Sequence, residues 1–187
     1  WSDLDIEAVD EAFRIMHHKT RNAEILGRST IYRVGLPEDS TTTTLGCARN
    51  ESKIYIPTTA MQHNDLVSIV IHEVGHTWHP SNSSWKEWKS LGHWSNNKSD
   101  YTSSTDAFGT SGYSKGSLLP GWTKGTGNWA YSGSPAFITN YAKVNPYEDF
   151  AETFTAAFIA DSTDHQMLNS IVDSYDSVAM QGKRDFM

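Results

Sequence analysis

The sequence is poor in several features that define large classes of protein. Cys47 is its single cysteine, which excludes a framework of intrachain disulfides. The longest unbroken apolar run, residues 156–160, is far shorter than the roughly 20 residues of a membrane-spanning helix. Acidic residues number 22 against 15 basic ones, so at a formal net charge of −7 the chain lacks a basic surface for nucleic acids. We therefore expect no membrane span and no nucleic-acid partner.

The length and composition are those of an ordinary globular domain. A chain of 187 residues, 37% of them hydrophobic, suffices for a single core, and no linker divides it. We therefore expect one domain over residues 1–187, and a monomer. Serine and threonine together number 40, whereas only 20% of residues are charged. This hydroxyl-rich, charge-poor composition favours an extracellular surface, so we expect a secreted protein.

Hydrophobic periodicity predicts a mixture of helices and short strands. Apolar residues at helical spacing predict helices over residues 3–18, 64–78, 84–91, 136–142, 147–160 and 162–180. Alternation predicts strands over residues 30–34 and 53–57. Residues 92–134 show almost no helical period, which is typical of a functional loop region or irregular sheet. This order indicates an α+β fold with a small sheet and a mainly helical C-terminal half.

Residues 72–76 read His-Glu-Val-Gly-His and match the HExxH pattern. On a helix His72 and His76 differ by about 40° and share one face, so their imidazoles can reach one zinc ion at about 2 Å. Glu73 is offset by about 100° and can stand beside the ion as a base for its water. Apolar neighbours such as Val70 and Ile71 indicate a buried helix, whose polar side chains need partners. The pattern therefore predicts a zinc site.

A third ligand is expected from the segment that contains Glu148 and Glu152. These residues are four apart on a predicted helix, so both carboxylates share one face. One carboxylate could bind the metal, and the other could accept a hydrogen bond from a ligand imidazole. His79 shares the face of His72 and His76, but it lies about 10 Å from His72 along the helix axis and is the weaker candidate.

The HExxH motif together with Tyr141 and the segment Glu148-Asp-Phe-Ala-Glu152 resembles the gluzincin metallopeptidases. The closest patterns are those of the lethal-factor catalytic domain and the Pro-Pro endopeptidases. The resemblance rests on two short segments and implies a compact zincin-like fold with one catalytic Zn²⁺. It implies that Glu148 is the third zinc ligand, that Glu152 supports the site from behind the ligands, and that the Tyr141 hydroxyl steadies the oxyanion.

The resemblance implies a zinc-dependent endopeptidase that hydrolyses peptide bonds of protein substrates. Zinc would acidify a water and polarise the carbonyl, and Glu73 would take the proton and pass it to the leaving amine. Zinc and the Tyr141 hydroxyl would share the negative charge on the carbonyl oxygen, and a donor of this kind is worth about 3 kcal/mol.

Substrate contacts are expected from aromatic residues. The strand over residues 53–57, which contains Tyr55, is either an edge strand that pairs with an extended peptide or an ordinary interior strand. Six of the seven tryptophans lie within residues 78–129. Three of them, Trp94, Trp122 and Trp129, either wall a substrate cleft or belong to a satellite core beneath a long loop.

Two other classes of protein compete with the peptidase interpretation. Peptide deformylases also use HExxH but take a cysteine as third ligand, for which Cys47 is the candidate here, without the surrounding deformylase signature. A carbohydrate- or protein-binding module is suggested by the aromatic region. The intact Glu73 argues against such a module, because a binding protein has no need of a base beside a metal.

Overall fold

The computed structural model describes residues 1–20, 30–34, 47–49, 53–57, 63–78, 82–95, 121–125, 129–159 and 177–187. The chain divides into two compact units. The first comprises Trp1–His79 and Phe154–Val172, and the second comprises Pro80–Thr153 and Asp173–Met187. The expectation of one domain over residues 1–187 stays a prediction.

Two helices that pack against each other form much of the first unit. Helix α1 spans Asp3–Thr20, and helix α2 spans His63–Thr77. The start of α1 is capped reciprocally, because the Asp5 amide donates to Ser2 Oγ at 3.2 Å and the Ser2 amide donates to Asp5 Oδ2 at 2.9 Å. Both helices bury apolar residues at helical spacing: Ala8, Ala12, Ile15 and Met16 of α1, and Leu66, Val67, Val70, Ile71 and Val74 of α2.

The first unit also contains a three-stranded sheet. Its strands are β1 (Thr30–Val34), β2 (Cys47–Arg49) and β3 (Lys53–Pro57), in the order β1-β3-β2. Strand β3 runs parallel to β1 and antiparallel to β2. It is therefore the central strand, and the edge-strand hypothesis is wrong, because both of its hydrogen-bonding edges are occupied.

The second unit contains helix α3 (Asn82–Leu91) and a small antiparallel sheet. Its strands are β4 (Trp94–Ser95), β5 (Trp122–Lys124) and β6 (Ala130–Ser132), in the order β4-β6-β5. The sequence predicted either a functional loop region or an irregular sheet over residues 92–134, and the described part of this region contains a small sheet.

Helix α4 (Pro146–Ile159) confirms the helix predicted over residues 147–160. Asn145 caps it, because its Oδ1 accepts from the amides of Tyr147 at 2.9 Å and Glu148 at 3.0 Å. Pro146 takes the first helical position, where its missing N–H costs nothing. The boundary between the two units falls within this helix, between Thr153 and Phe154.

The helix predicted over residues 136–142 is wrong. Only a 3-10 helix, Tyr141–Lys143, is present there. Side chains satisfy the backbone instead: Thr139 Oγ1 accepts from the Ala142 amide at 3.0 Å, and the Ala136 carbonyl accepts from the Lys183 ammonium at 2.7 Å.

The helix predicted over residues 162–180 lies almost wholly outside the described residues. At its end the structure has a 3-10 helix, Val178–Met180, followed by helix α5 (Gln181–Phe186), which the sequence did not predict. Helices and two small sheets together are compatible with the predicted α+β class. Within the described ranges no helix is long and apolar enough to cross a membrane.

Candidate metal centre

Helix α2 brings the two histidines of the HExxH motif together. Their Nε2 atoms lie 3.0 Å apart, and the ring planes meet at 81° with centroids 4.7 Å apart. The helix is anchored by the fully buried Ile71 and Val74, whereas His72 and His76 are half-buried. The spacing of four residues thus places both imidazole edges at one point on the helix surface.

Glu148, in the first turn of α4, joins the two histidines. Each of His72, His76 and Glu148 offers one ligand atom, and these atoms lie within 4.8 Å of one another. All three residues are half-buried, so the group is shielded in part from water. Glu152, one turn further along α4, does not belong to this group of ligand atoms.

The donor set fits a zinc ion. Zinc–nitrogen bonds of about 2.0–2.1 Å at a tetrahedral angle hold two nitrogens about 3.3 Å apart. The observed 3.0 Å between the Nε2 atoms of His72 and His76 is close to that separation. Two imidazoles and one carboxylate are also the protein ligands of a catalytic zinc with an open fourth position.

Glu73 lies directly beside His72 in sequence and is only 5% exposed. It does not belong to the group of ligand atoms formed by His72, His76 and Glu148. The side chain that the sequence assigns as the base is thus buried on the helix that carries two of the ligand atoms, which is compatible with proton transfer near an ion.

Glu152 is held by a residue that the sequence analysis missed. Thr139 Oγ1 donates to Glu152 Oε2 at 2.7 Å, and Thr139 Oγ1 in turn accepts from the Ala142 amide at 3.0 Å. Thr139 therefore links Glu152 to the 3-10 helix that begins at Tyr141, whose side chain is 53% exposed. A threonine three residues before the amide that it caps could have identified the turn over residues 139–142, but nothing local pointed to Glu152.

The four aromatic residues predicted to bind substrate have different environments. Trp94 is fully buried and donates from Nε1 to Asp149 Oδ2 at 3.0 Å. Its predicted contact with substrate is therefore corrected: Trp94 belongs to the core of the second unit. Tyr55 is half-buried on the central strand β3, and its ring stacks on Tyr32 with centroids 5.1 Å apart.

The remaining two tryptophans are partly exposed. Trp122 is half-buried on β5, and Trp129 is half-buried just before β6. The Trp129 ring lies 6.0 Å from that of Tyr147 and 5.6 Å from the Lys89 ammonium. These two side chains retain surface that a substrate could contact, and their predicted role stays a prediction.

A buried ion pair lies next to Glu148 in sequence. The Lys183 ammonium contacts Asp149 Oδ1 at 2.6 Å, and the two side chains are 3% and 0% exposed. Burial raises the pKa of Asp149 to about 6 against the opposing attraction of Lys183, and burial lowers the pKa of Lys183. Asp149 within an apolar helix was a signal for a buried partner, but nothing local pointed to Lys183.

Two candidate ligands lie outside the described part of the chain. They are His79 and the side chain of Cys47 on β2.

Comparison of the chain with models of protein families, with curated proteins and with solved structures gave no match.

Proposed function

We propose that this protein is a zinc-dependent endopeptidase of the gluzincin type, with a compact zincin-like fold. The observation that carries the proposal is the convergence of one ligand atom each from His72, His76 and Glu148 within 4.8 Å. The HExxH motif supports it further, because its glutamate, Glu73, is buried on the helix that carries the two histidines.

His72, His76 and Glu148 would hold the ion. Zinc bound in this way would lower the pKa of a coordinated water, and its positive charge would polarise a substrate carbonyl. Two neutral imidazoles and one carboxylate would leave a net positive charge on such a site, which favours ionisation of a bound water.

Glu73 would act as the general base. It would accept a proton from the attacking water as the oxygen adds to the peptide carbonyl, and it would then deliver that proton to the departing amine. The carbon–nitrogen bond breaks in the second step, and the second proton of the water ends on the amine, so the products are a carboxylate and an ammonium group. No covalent intermediate with the protein is needed.

Tyr141 and Glu152 would assist the reaction in different ways. The Tyr141 hydroxyl would donate a hydrogen bond to the carbonyl oxygen as negative charge develops on it, and its exposure leaves it open to a substrate. Glu152, which accepts from Thr139, would orient a ligand imidazole and fix its tautomer.

The substrates would be proteins or peptides, and the protein would act as a secreted monomer. Trp122 and Trp129 would contribute apolar contacts to the substrate chain, because both rings keep exposed surface. Their position in the region over residues 92–134 separates them in sequence from the ligands, so specificity and metal binding would be encoded by different segments.

The test is a peptide-library cleavage profile of the wild-type protein and the Glu73→Gln variant, with and without a chelator. Glu73→Gln should keep its bound zinc and lose activity by about 10²–10⁴-fold, because the amide cannot take the proton. Glu87→Gln is the matched control, since Glu87 is an exposed glutamate on α3.

Three results would decide against this function. They are cleavage that persists in the chelator, full activity in Glu73→Gln, and the absence of any cleaved peptide when the wild-type protein carries one zinc ion per chain. The last result would favour a binding module, because metal without hydrolysis leaves Glu73 with no chemical task.

A further inference from the structure

The hydrogen bonds of the Lys183 ammonium are made inside the protein. The nitrogen donates to Asp149 Oδ1 at 2.6 Å, to Asp149 Oδ2 at 2.8 Å and to the Ala136 carbonyl at 2.7 Å. The buried ammonium therefore has a carboxylate counter-charge and a backbone carbonyl as acceptors. Lys183 is 3% exposed, so water does not compete for these hydrogen bonds.

Aromatic side chains enclose the pair and also bind the first turn of α4. The Lys183 nitrogen lies 5.2 Å from the centre of the Trp88 ring and 4.7 Å from that of Phe137. Trp94 Nε1 donates to the second oxygen of Asp149 at 3.0 Å. Trp88 Nε1 donates to the Pro146 carbonyl at 3.1 Å.

These contacts converge on residues 146–149, which form the first turn of α4. The first turn of a helix lacks intrahelical partners for its amides and is prone to fraying. Here that turn carries Glu148, which contributes a ligand atom to the candidate metal centre. Asp149 and Pro146 are tied to buried donors on both sides of Glu148, so the backbone that carries this carboxylate has little freedom to move.

We propose that Lys183, acting through Asp149, is a positioning residue for the metal ligand Glu148. The C-terminal helix α5 thereby fixes the first turn of α4 in the orientation that presents the Glu148 carboxylate to the ion. This inference rests on the proposed function, since it assumes that Glu148 binds zinc. Helix α5 would thus contribute to the metal centre although it lies outside both the HExxH motif and the segment that contains Glu148 and Glu152.

The test measures the affinity of the purified full chain for zinc ions alone, by competition with a chelating dye. Lys183→Met leaves the Asp149 carboxylate buried without its counter-charge, so a second variant combines Lys183→Met with Asp149→Asn. The asparagine keeps an oxygen for the Trp94 indole and carries no charge. Both variants should bind zinc about 10-fold more weakly, in the range seen when supporting partners of a ligand are lost.

Met180→Ala is the matched control. Met180 is 1% exposed in the same C-terminal segment, so its truncation leaves a cavity while Lys183 and Asp149 remain. This variant should lower the melting temperature without changing the zinc dissociation constant at 20 °C, where circular dichroism confirms that each variant is folded. A control that weakens zinc binding as much as the Lys183 variants would overturn the positioning role.

A double-mutant cycle with Glu148→Ala separates positioning from a general effect on the fold. If Lys183 acts through Glu148, the combined Lys183→Met and Asp149→Asn change should not weaken zinc binding further once Glu148 is alanine. A persistent 10-fold loss in the Glu148→Ala protein would overturn the inference. Unchanged zinc affinity on making the same two substitutions in the protein that retains Glu148 would overturn it as well. Wild-type protein that binds no zinc would overturn the proposed function itself, and this inference with it.

Discussion

Glu148 and Glu152 lie one turn apart on α4, and residue spacing alone left open which of them would ligate a metal. The structure gives the two carboxylates different neighbours. A Glu148 oxygen lies with the ligand atoms of His72 and His76, whereas Glu152 accepts from the Thr139 hydroxyl. Glu148 thus belongs to a group of residues that could hold an ion, and the roles that the gluzincin resemblance implies for the two glutamates stay predictions.

We expect Glu148→Ala to weaken zinc binding by about 100-fold or more and Glu152→Ala by about 10–100-fold, because loss of a ligand exceeds loss of a supporting partner. Zinc content after gel filtration and competition with a chelating dye would measure both. The two variants serve as controls for each other, since each removes one carboxylate from the same face of α4. A larger loss in Glu152→Ala than in Glu148→Ala would reverse the two assignments.

The residues of the candidate site could be predicted from the sequence only where the pattern is local. His72, Glu73 and His76 are fixed relative to one another by helical geometry, so their spacing was sufficient. Lys183 and Asp149 are 34 residues apart, and their pairing depends on tertiary packing that no local pattern encodes. The same limit applies to Thr139, whose partner Glu152 is 13 residues away.

At the scale of elements, α4 depends on its N-terminal cap. Asn145 Oδ1 accepts from the amides of Tyr147 and Glu148, which have no partner within the helix. We expect Asn145→Ala to lower the free energy of unfolding by about 0.5–2 kcal/mol. Urea or thermal denaturation followed by circular dichroism would measure this loss.

Asn140→Ala is the control for the cap. Asn140 is exposed, and its Oδ1 accepts from the exposed Lys143 ammonium at 2.9 Å. Its substitution should change the free energy of unfolding by less than about 0.5 kcal/mol. Equal losses for Asn145→Ala and Asn140→Ala would show that the cap contributes nothing specific to α4.

The elements that the sequence predicted well have a long, regular period, and those it missed are short or are formed by side chains. Helix α2 and strand β3 follow the apolar patterns of residues 64–78 and 53–57 closely. Strands β4, β5 and β6 have two or three residues each, too few for an alternation to appear. The stretch over residues 136–142 has a helical pattern, but its Ala142 amide donates to the Thr139 hydroxyl and its Ala136 carbonyl accepts from Lys183, which hold the backbone in another conformation.

At the scale of the whole molecule, no intrachain disulfide is available, so the zinc ion of the proposed function would act as a cross-link between distant parts of the sequence. Cys47 is the single cysteine, so the chain cannot close a loop on itself through sulfur. Zinc held by α2 and α4 would link His72 to Glu148, which lie far apart in the sequence. A ligand that binds the folded state and not the unfolded chain stabilises the folded state by mass action.

We therefore expect removal of zinc to lower stability as well as activity. Zinc at 100 times its dissociation constant would contribute about 2.7 kcal/mol, which corresponds to roughly 5–10 °C in melting temperature for a chain of this size. Differential scanning calorimetry in chelator, followed by zinc addition, would measure the shift and its recovery. Glu148→Ala should melt at nearly the same temperature with and without zinc at that concentration. A wild-type melting temperature that zinc leaves unchanged would mean that the ion does not bind the folded chain preferentially.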